Sequence, residues 1–204
     1  MPAGHAAGAL ERFRDLGYRG VNVTTPLKEE AFARCDAHDA LALASGSVNT
    51  VVFERGSMFG ANTDGAGAVA AVREATGRDA ASGVAVLVLG AGPTARAAAR
   101  ALVDAGAAVT LWNRTRAREE AACAAAGVRA WTPLSSVDAV LSALSPGGAL
   151  VGAVRAAVLR APVVIDANYG VRATLGADLA RPVVDGHAML RASARASFAL
   201  FAAR

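Results

Sequence analysis

The stretch that decides the fold is Val84-Ala85-Val86-Leu87-Val88-Leu89-Gly90-Ala91-Gly92-Pro93-Thr94-Ala95, an aliphatic run followed by two closely spaced glycines. A parallel strand with helices on both faces is aliphatic throughout, because neither face meets water. The glycines and the alanine-rich sequence after them indicate a tight turn and a helix start. This stretch therefore predicts a buried strand, a glycine loop and a helix.

The spacing of Gly90, Gly92 and Ala95 matches the G-x-G-x-x-A form of the dinucleotide-binding motif. Gly90 would permit the sharp turn, Gly92 would let the backbone approach a pyrophosphate, and Ala95 would allow close helix packing. The helix start offers free N–H groups to phosphates, although Pro93 lacks one. For the glycines alone, an ordinary strand–helix turn is the alternative. The predicted cofactor-binding residues of this stretch are Gly90, Ala91, Gly92, Pro93, Thr94 and Ala95.

The end of the next strand indicates which dinucleotide would bind. The strand predicted at 107–112 is followed by Asn113, Arg114 and Thr115, with Arg116 and Arg118 behind them. An acidic residue here would hold the ribose 2′-hydroxyl of NAD, whereas arginine accommodates the 2′-phosphate of NADP. The arginines therefore favour NADP over NAD, and the alternative is a solvated basic helix start.

The composition indicates a globular protein. Hydrophobic residues make up 54% of the 204 residues and charged residues 19%, so the chain can bury a sizeable core. Every apolar run is interrupted before the about 18 residues that a membrane helix needs. The first residues lack the charged and apolar blocks of a signal peptide. We therefore expect no membrane association and a cytoplasmic location.

The positive charge does not indicate nucleic-acid binding. The net charge is +4, but the arginines are scattered, Lys28 is the only lysine, and aromatic residues are few. Nucleic-acid surfaces need clustered basic side chains or interleaved aromatic ones. The charge instead suits an anionic small-molecule ligand. Cys35 and Cys123 have neither metal-binding nor redox spacing, so we expect no metal site and a reducing compartment.

Hydrophobic periodicity divides the chain into two parts. In the first part we predict helices at 9–16, from Thr25-Pro26, at 39–45 and from Asp64 to about Ala75, a strand at 20–24, and a hairpin of 47–53 with 58–61. In the second part we predict strands at 84–89, 107–112, 138–142, 162–166 and 182–184, and a last helix at 188–203 with Met189, Leu190, Phe198 and Phe201 on its apolar side. Strands that alternate with helices predict a Rossmann-type, doubly wound parallel sheet.

Lys28 does not suit the first turn of its predicted helix, because a cation there opposes the helix dipole. Its side chain must therefore either reach solvent or be held at that position for another purpose.

Five motifs, in this order, resemble those of the shikimate dehydrogenase family. They are Gly20–Lys28, Ser47–Thr50, Asn62–Gly65, the Gly90 loop with Asn113–Thr115, and Asp185-Gly186 ahead of Met189-Leu190. The resemblance covers essentially the whole chain but only the later part of the family's length. It implies that the family's first strand–helix–strand unit, with its Ser-x-Ser motif, is missing before Met1.

The resemblance also implies a domain division. A smaller, incomplete α/β substrate domain would comprise residues 1–76 with 187–204, so that the last helix completes it. The NADP-binding Rossmann-type domain would comprise residues 77–186. Without its first unit the substrate domain would expose a sheet edge, and an exposed edge favours pairing in a homodimer.

The activity implied by the resemblance is the reversible, NADP-dependent reduction of 3-dehydroshikimate, or a related cyclic polyol acid, to the alcohol. Lys28 and Asp64 would be the catalytic pair, since an ammonium beside a carboxylate can protonate a developing alkoxide. The implied substrate-binding residues are Thr24, Asn49, Tyr169 and Ser193. The remaining cofactor-binding residues are Asn113, Arg114, Thr115, Arg118, Gly186 and Met189.

Each implied role has a plainer alternative. Lys28 and Asp64 could form an interdomain salt bridge without chemistry, Tyr169 could be a half-buried core residue, and Gly186 could mark an ordinary turn. The chain departs from the family on the substrate side, where Ser193 replaces a substrate-binding glutamine and His187 replaces an aliphatic residue. The alternative function is therefore a non-catalytic NADP-binding paralogue or a gene fragment.

Overall fold

The computed structural model of the protein describes residues 6–78 and 83–203. The N-terminal residues considered for a signal peptide thus lie outside the described residues, and the domain division predicted between residues 76 and 77 lies just before the gap. The helices of the first part are α1 (Ala6–Asp15), α2 (Lys28–Arg34), α3 (Ala40–Ser45) and α4 (Asp64–Thr76). Its strands are β1 (Gly20–Asn22), β2 (Ala37–His38), β3 (Thr50–Glu54) and β4 (Ser57–Ala61), which form a mixed sheet in the order β1-β3-β4-β2.

The second part is a parallel five-stranded sheet in the order β7-β6-β5-β8-β9. Its strands are β5 (Ala85–Leu89), β6 (Ala108–Trp112), β7 (Arg129–Ala130), β8 (Ala139–Ser142) and β9 (Val163–Asp166). Its helices are α5 (Pro93–Asp104), α6 (Arg116–Ala126), α7 (Gly152–Arg160) and α8 (Leu175–Leu179), and α9 (His187–Ala203) ends the chain.

The predicted Rossmann-type sheet is confirmed, and β5 lies at its centre. The residues from Val86 to Leu89 are at most 1% exposed, because helices cover both faces of the strand. The four long predicted strands agree with β5, β6, β8 and β9 to within one residue at each end.

The predicted strand at 182–184 is wrong as a strand. Only Val184 pairs, in an isolated parallel bridge to Ile165 of β9. Pro182 has no N–H to donate, and the chain turns at Gly186 into α9, so a longer ladder cannot form.

The helix predicted from Thr25-Pro26 starts later than expected. The Thr25–Pro26 peptide is cis, and the Leu27 N–H donates to the Thr24 carbonyl oxygen in a turn at 2.9 Å. Helix α2 then begins at Lys28, so Thr25 does not cap it. The later start places Lys28 at the first helical position.

The hairpin of the first part is confirmed, with β3 and β4 joined through Arg55 and Gly56. Both turn residues have positive φ, 49° and 85°, as tight hairpin turns require. The first strand of the pair begins at Thr50 instead of Ser47, because the Val48 N–H donates to the Lys28 carbonyl oxygen instead of to a strand.

The predicted apolar side of the last helix is partly wrong. Met189 is buried, but Leu190 is 41% and Phe198 70% exposed. Helix α9 packs closely on α4: a Cβ on Gly67 would lie only 2.6 Å from the Met189 carbonyl oxygen. Phe201 packs against Gly20 of β1, and the buried positions of α9 are Ala188, Met189 and Ser197.

Candidate active site

Lys28 and Asp64 form a buried ion pair where the two parts of the chain meet. Lys28 Nζ lies 2.5 Å from Asp64 Oδ2, and the two side chains are 9% and 10% exposed. Lys28 is the first residue of α2 and Asp64 the first residue of α4. The carboxylate therefore suits the positive end of α4, and it also supplies the counterion that the lysine needs at the start of α2.

Asn49 holds the second oxygen of this carboxylate. Asn49 Nδ2 donates to Asp64 Oδ1 at 2.7 Å, and Asn49 Oδ1 accepts from the Thr63 backbone N–H at 2.8 Å. Asp64 is thus fixed from two sides, by a cation on one oxygen and by an amide on the other. Because both side chains are held in place, the Lys28–Asp64 pair can give or take a proton at a defined position.

Two serines of the last helix extend the polar cluster. Ser193 Oγ lies 3.2 Å from Asn49 Nδ2 and 2.8 Å from Thr63 Oγ1, so the structure brings together two of the predicted substrate residues, Ser193 and Asn49. Ser197 is 1% exposed and lies 2.8 Å from Asn22 Nδ2 and 2.6 Å from Thr50 Oγ1.

Sequence reasoning missed Ser197 and Asn22. The four-residue spacing of Ser193 and Ser197, which places both on one face of a helix, was the signal for the first. Nothing in the sequence indicated that Asn22 would face the last helix.

Thr94, predicted to bind cofactor, contacts the ion pair. Its Oγ1 lies 3.2 Å from Lys28 Nζ and 3.2 Å from Asp64 Oδ2. Thr94 is the second residue of α5, directly after the glycine loop. The hydroxyl therefore connects the pair to the helix that follows the loop.

The glycine loop has the geometry that the motif requires. Gly90 has φ 114°, and a Cβ there would lie 3.1 Å from the Ala143 carbonyl oxygen, so a side chain is unfavourable for two reasons. Gly92 has an ordinary φ of −78°, and a Cβ there would meet open space. Ala95 is fully buried beneath the loop. Gly90 thus makes the turn, and Gly92 leaves the helix start accessible.

A cavity of about 750 Å³ lies in front of this loop. It is lined on the Rossmann side by Ala91, Gly92, Pro93, Arg96, Asn113 and Arg118, and on the other side by Glu29 and residues 43–46. Backbone N–H groups at a helix start and the Arg118 guanidinium are the kinds of donor that bind the phosphates of a dinucleotide. Arg114 and Thr115 are exposed beside the cavity, where Asn113 Nδ2 donates to the Thr115 carbonyl oxygen.

The remaining predicted residues lie near the start of α9 or before α2. The Tyr169 and His187 rings are 5.7 Å apart, and Tyr169 is 47% exposed. Gly186 is closely packed against the backbone of residues 167–168, so a side chain would not fit there. Met189 is buried, and Thr24 is exposed in the turn that precedes α2.

Asp185 and His187 form an exposed pair at the start of α9. His187 Nδ1 lies 2.6 Å from Asp185 Oδ2, and the His187 backbone N–H donates to Asp185 Oδ1 at 3.1 Å. These hydrogen bonds lower the pKa of the Asp185 carboxyl.

Two classes of site are not found among the described residues. Within 6–78 and 83–203, no group of His, Cys, Asp and Glu is arranged to hold a metal ion. Over the same ranges, no helix combines the length and hydrophobicity that a membrane crossing demands.

Comparison with known proteins gives consistent matches. The family model described as "Shikimate dehydrogenase substrate binding domain" matches residues 1–51, and "Shikimate / quinate 5-dehydrogenase" matches residues 73–156. A relative named shikimate dehydrogenase (NADP(+)) from Xanthomonas euvesicatoria pv. vesicatoria is 37% identical over 221 residues, which cover 96% of this chain and 75% of the relative. One of the same name from Acidiphilium cryptum is 51% identical over 112 residues, 55% of this chain and 40% of the relative.

Two solved structures of shikimate dehydrogenases are also similar to this chain. The crystal structure of shikimate 5-dehydrogenase from Thermus thermophilus, in complex with NADP(H) and shikimate, has a TM-score of 0.81 and 29% identity. The match covers 100% of this chain and 80% of that one. Shikimate dehydrogenase from Aquifex aeolicus has a TM-score of 0.84 and 28% identity, covering 100% of this chain and 79% of that one.

Proposed function

This chain belongs to the shikimate dehydrogenase family, and on that premise we propose that it is an NADP-dependent oxidoreductase that reversibly reduces 3-dehydroshikimate to shikimate. A related cyclic polyol acid is the alternative substrate. The observation that carries the proposal is the buried Lys28–Asp64 pair beside the glycine loop of a Rossmann-type sheet. An ammonium and a carboxylate at this position match the acid–base requirement of ketone reduction.

When bound, NADPH would supply the hydride for the carbonyl carbon in the proposed reaction. Lys28 Nζ gives a proton to the carbonyl oxygen as negative charge develops on it, so that the product is a neutral alcohol. Asp64 holds the ammonium in position, and Asn49 fixes the carboxylate. In the oxidation direction Lys28 takes the proton back.

The proposed cofactor site follows the cavity in front of the glycine loop. Gly92 and the start of α5 would face the pyrophosphate, while Asn113, Arg114 and Arg118 would hold the ribose and its 2′-phosphate. We assign the nicotinamide end to the region of Gly186, where the parallel strands end. Thr24, Asn49, Tyr169 and Ser193 are the proposed substrate-binding residues. The domain division at 1–76 with 187–204, and 77–186, stays a prediction.

One observation favours a non-catalytic alternative. Ser193 Oγ already has two partners within the protein, Asn49 and Thr63, so the hydroxyl is occupied where a substrate contact is proposed. A protein that binds NADP without turning over this substrate would be consistent with that arrangement.

The test is NADPH oxidation with 3-dehydroshikimate, with NADH as cofactor control and Lys28→Ala as the catalytic control. We expect wild type to show NADPH-dependent turnover and Lys28→Ala to show none. NADPH should still bind to both proteins, seen as quenched protein fluorescence or a raised melting temperature. NADPH binding without turnover of any cyclic polyol acid would support the non-catalytic alternative. Absence of NADPH binding at saturating concentrations would contradict both.

We also propose a homodimer formed through the edge of the mixed sheet. Strand β1 lies at one end of the order β1-β3-β4-β2, and such an edge favours pairing with a second copy. Light scattering that gives a monomer mass at micromolar concentration would contradict the homodimer.

We also propose a cytoplasmic location, because Cys35 and Cys123 are free thiols and a reducing compartment keeps thiols free. Cell fractionation would test this location.

A further inference from the structure

We propose that Thr94 is a positioning residue for the Lys28–Asp64 pair, in addition to its place beside the cofactor loop. The proposal rests on the function proposed above for that pair. It is carried by one geometric fact: a single hydroxyl of α5 lies within hydrogen-bond distance of both charged side chains.

The three groups can form a closed set of hydrogen bonds. Lys28 Nζ donates to Asp64 Oδ2 at 2.5 Å and to Thr94 Oγ1 at 3.2 Å. The Thr94 hydroxyl in turn donates to Asp64 Oδ2 at 3.2 Å. A hydroxyl both accepts and donates, so it satisfies the cation and the anion at the same time. Two of the three hydrogens of the Lys28 ammonium thereby point at Asp64 and Thr94, and the third is left for the substrate oxygen.

The position of Thr94 is fixed by packing that is independent of the ion pair. A Cβ on Gly65 would lie 2.6 Å from the Ala101 Cβ, so α4 and α5 are in close contact one residue after Asp64. Arg96, two residues after Thr94, donates to the Ser45 and Ala91 carbonyl oxygens at 2.7 and 3.1 Å. The first turn of α5 is therefore anchored to the substrate side, and the hydroxyl cannot easily withdraw.

The arrangement couples the cofactor loop to the acid–base pair. Gly92 and Thr94 are two residues apart at the start of the same helix, with Gly92 on the cavity and Thr94 on Lys28. The same helix start therefore presents a glycine to the cavity and a hydroxyl to the ammonium.

The test compares Thr94→Val, which keeps the shape and removes the hydroxyl, with Thr94→Ser, which keeps the hydroxyl. Thr110→Val on β6 is a matched control outside the site. We expect Thr94→Val to lower kcat by about tenfold or more, as expected for a lost hydrogen bond to a charged group, with the Kd for NADPH changed less than about twofold. Thr94→Ser should restore most of kcat. A tenfold loss of NADPH affinity with kcat unchanged would overturn the proposal, because Thr94 would then serve the cofactor alone.

A second measurement does not depend on turnover. Lys28 is the only lysine of the chain, so protein labelled with ¹⁵N at lysine Nζ gives one side-chain signal. We expect its ammonium hydrogens to exchange with water several-fold faster in Thr94→Val than in wild type, Thr94→Ser or Thr110→Val. If wild type is inactive but this pattern holds, the proposed function fails and the positioning role stands. If exchange is equal in all four proteins, the positioning role is wrong even where turnover is observed.

Discussion

The Lys28 ammonium lies 2.5 Å from the Asp64 carboxylate, and each residue begins a helix, α2 and α4 respectively. The two helix starts differ in what they favour: the Asp64 carboxylate is stabilised by its helix dipole, whereas the Lys28 ammonium is opposed by its own. The lysine is therefore held in place by its partner and not by its helix.

This dependence predicts the effect of removing the carboxylate. Asp64→Asn leaves the ammonium buried without a counterion, so we expect kcat to fall by at least about 100-fold and unfolding to become easier by about 3 kcal/mol. Steady-state kinetics and urea unfolding measure the two effects. Lys28→Met with Asp64→Asn removes both charges and should recover part of the lost stability without any activity. An Asp64→Asn protein as stable as wild type would show that the pair is more hydrated than the structure indicates.

The two loop glycines predict opposite outcomes for the same substitution. Gly90→Ala places a Cβ at φ 114° and 3.1 Å from the Ala143 carbonyl oxygen, so we expect it to destabilise the protein by more than about 1 kcal/mol. Gly92→Ala adds a Cβ in open space, so stability should stay within about 0.5 kcal/mol while NADPH affinity falls several-fold. Thermal unfolding and fluorescence titration separate the two. Equal losses of stability would contradict the assignment of the turn to Gly90.

The central sheet could be predicted from sequence because burial on both faces leaves an aliphatic signature that residues 84–89 show clearly. The start of α2 could not, because Thr25-Pro26 is also the pattern of a helix start, and here these residues lie in a turn closed by the Leu27 N–H and the Thr24 carbonyl oxygen. The resemblance identified Lys28 and Asp64, which the structure brings together. Thr94 was assigned to the cofactor from its position in the motif, which does not show that its hydroxyl also faces the ion pair.

An arginine in the first turn of α6 predicts the choice of cofactor. Arg118 lines the cavity, so Arg118→Glu would place a carboxylate near the 2′-phosphate of NADP. We expect the KM for NADPH to rise about tenfold or more and the KM for NADH to change little, since NADH lacks that phosphate. Arg155→Glu, on the exposed face of α7, is the matched charge control. Equal changes for both cofactors would place the 2′-phosphate elsewhere.

Cys35 predicts a pH dependence that is separate from catalysis. Burial, with a smaller contribution from Asp36, raises the pKa of the Cys35 thiol to about 11. The thiolate is the nucleophile, so the folded protein holds little of it at about pH 8, and alkylation should be about tenfold or more slower than in the urea-unfolded chain. In a Cys123→Ser background, which leaves one thiol, the folded rate of iodoacetamide labelling should keep rising from about pH 7 to about pH 10. The unfolded rate should level off near about pH 9. A folded rate that also levels off there would mean that water reaches the Cys35 thiol.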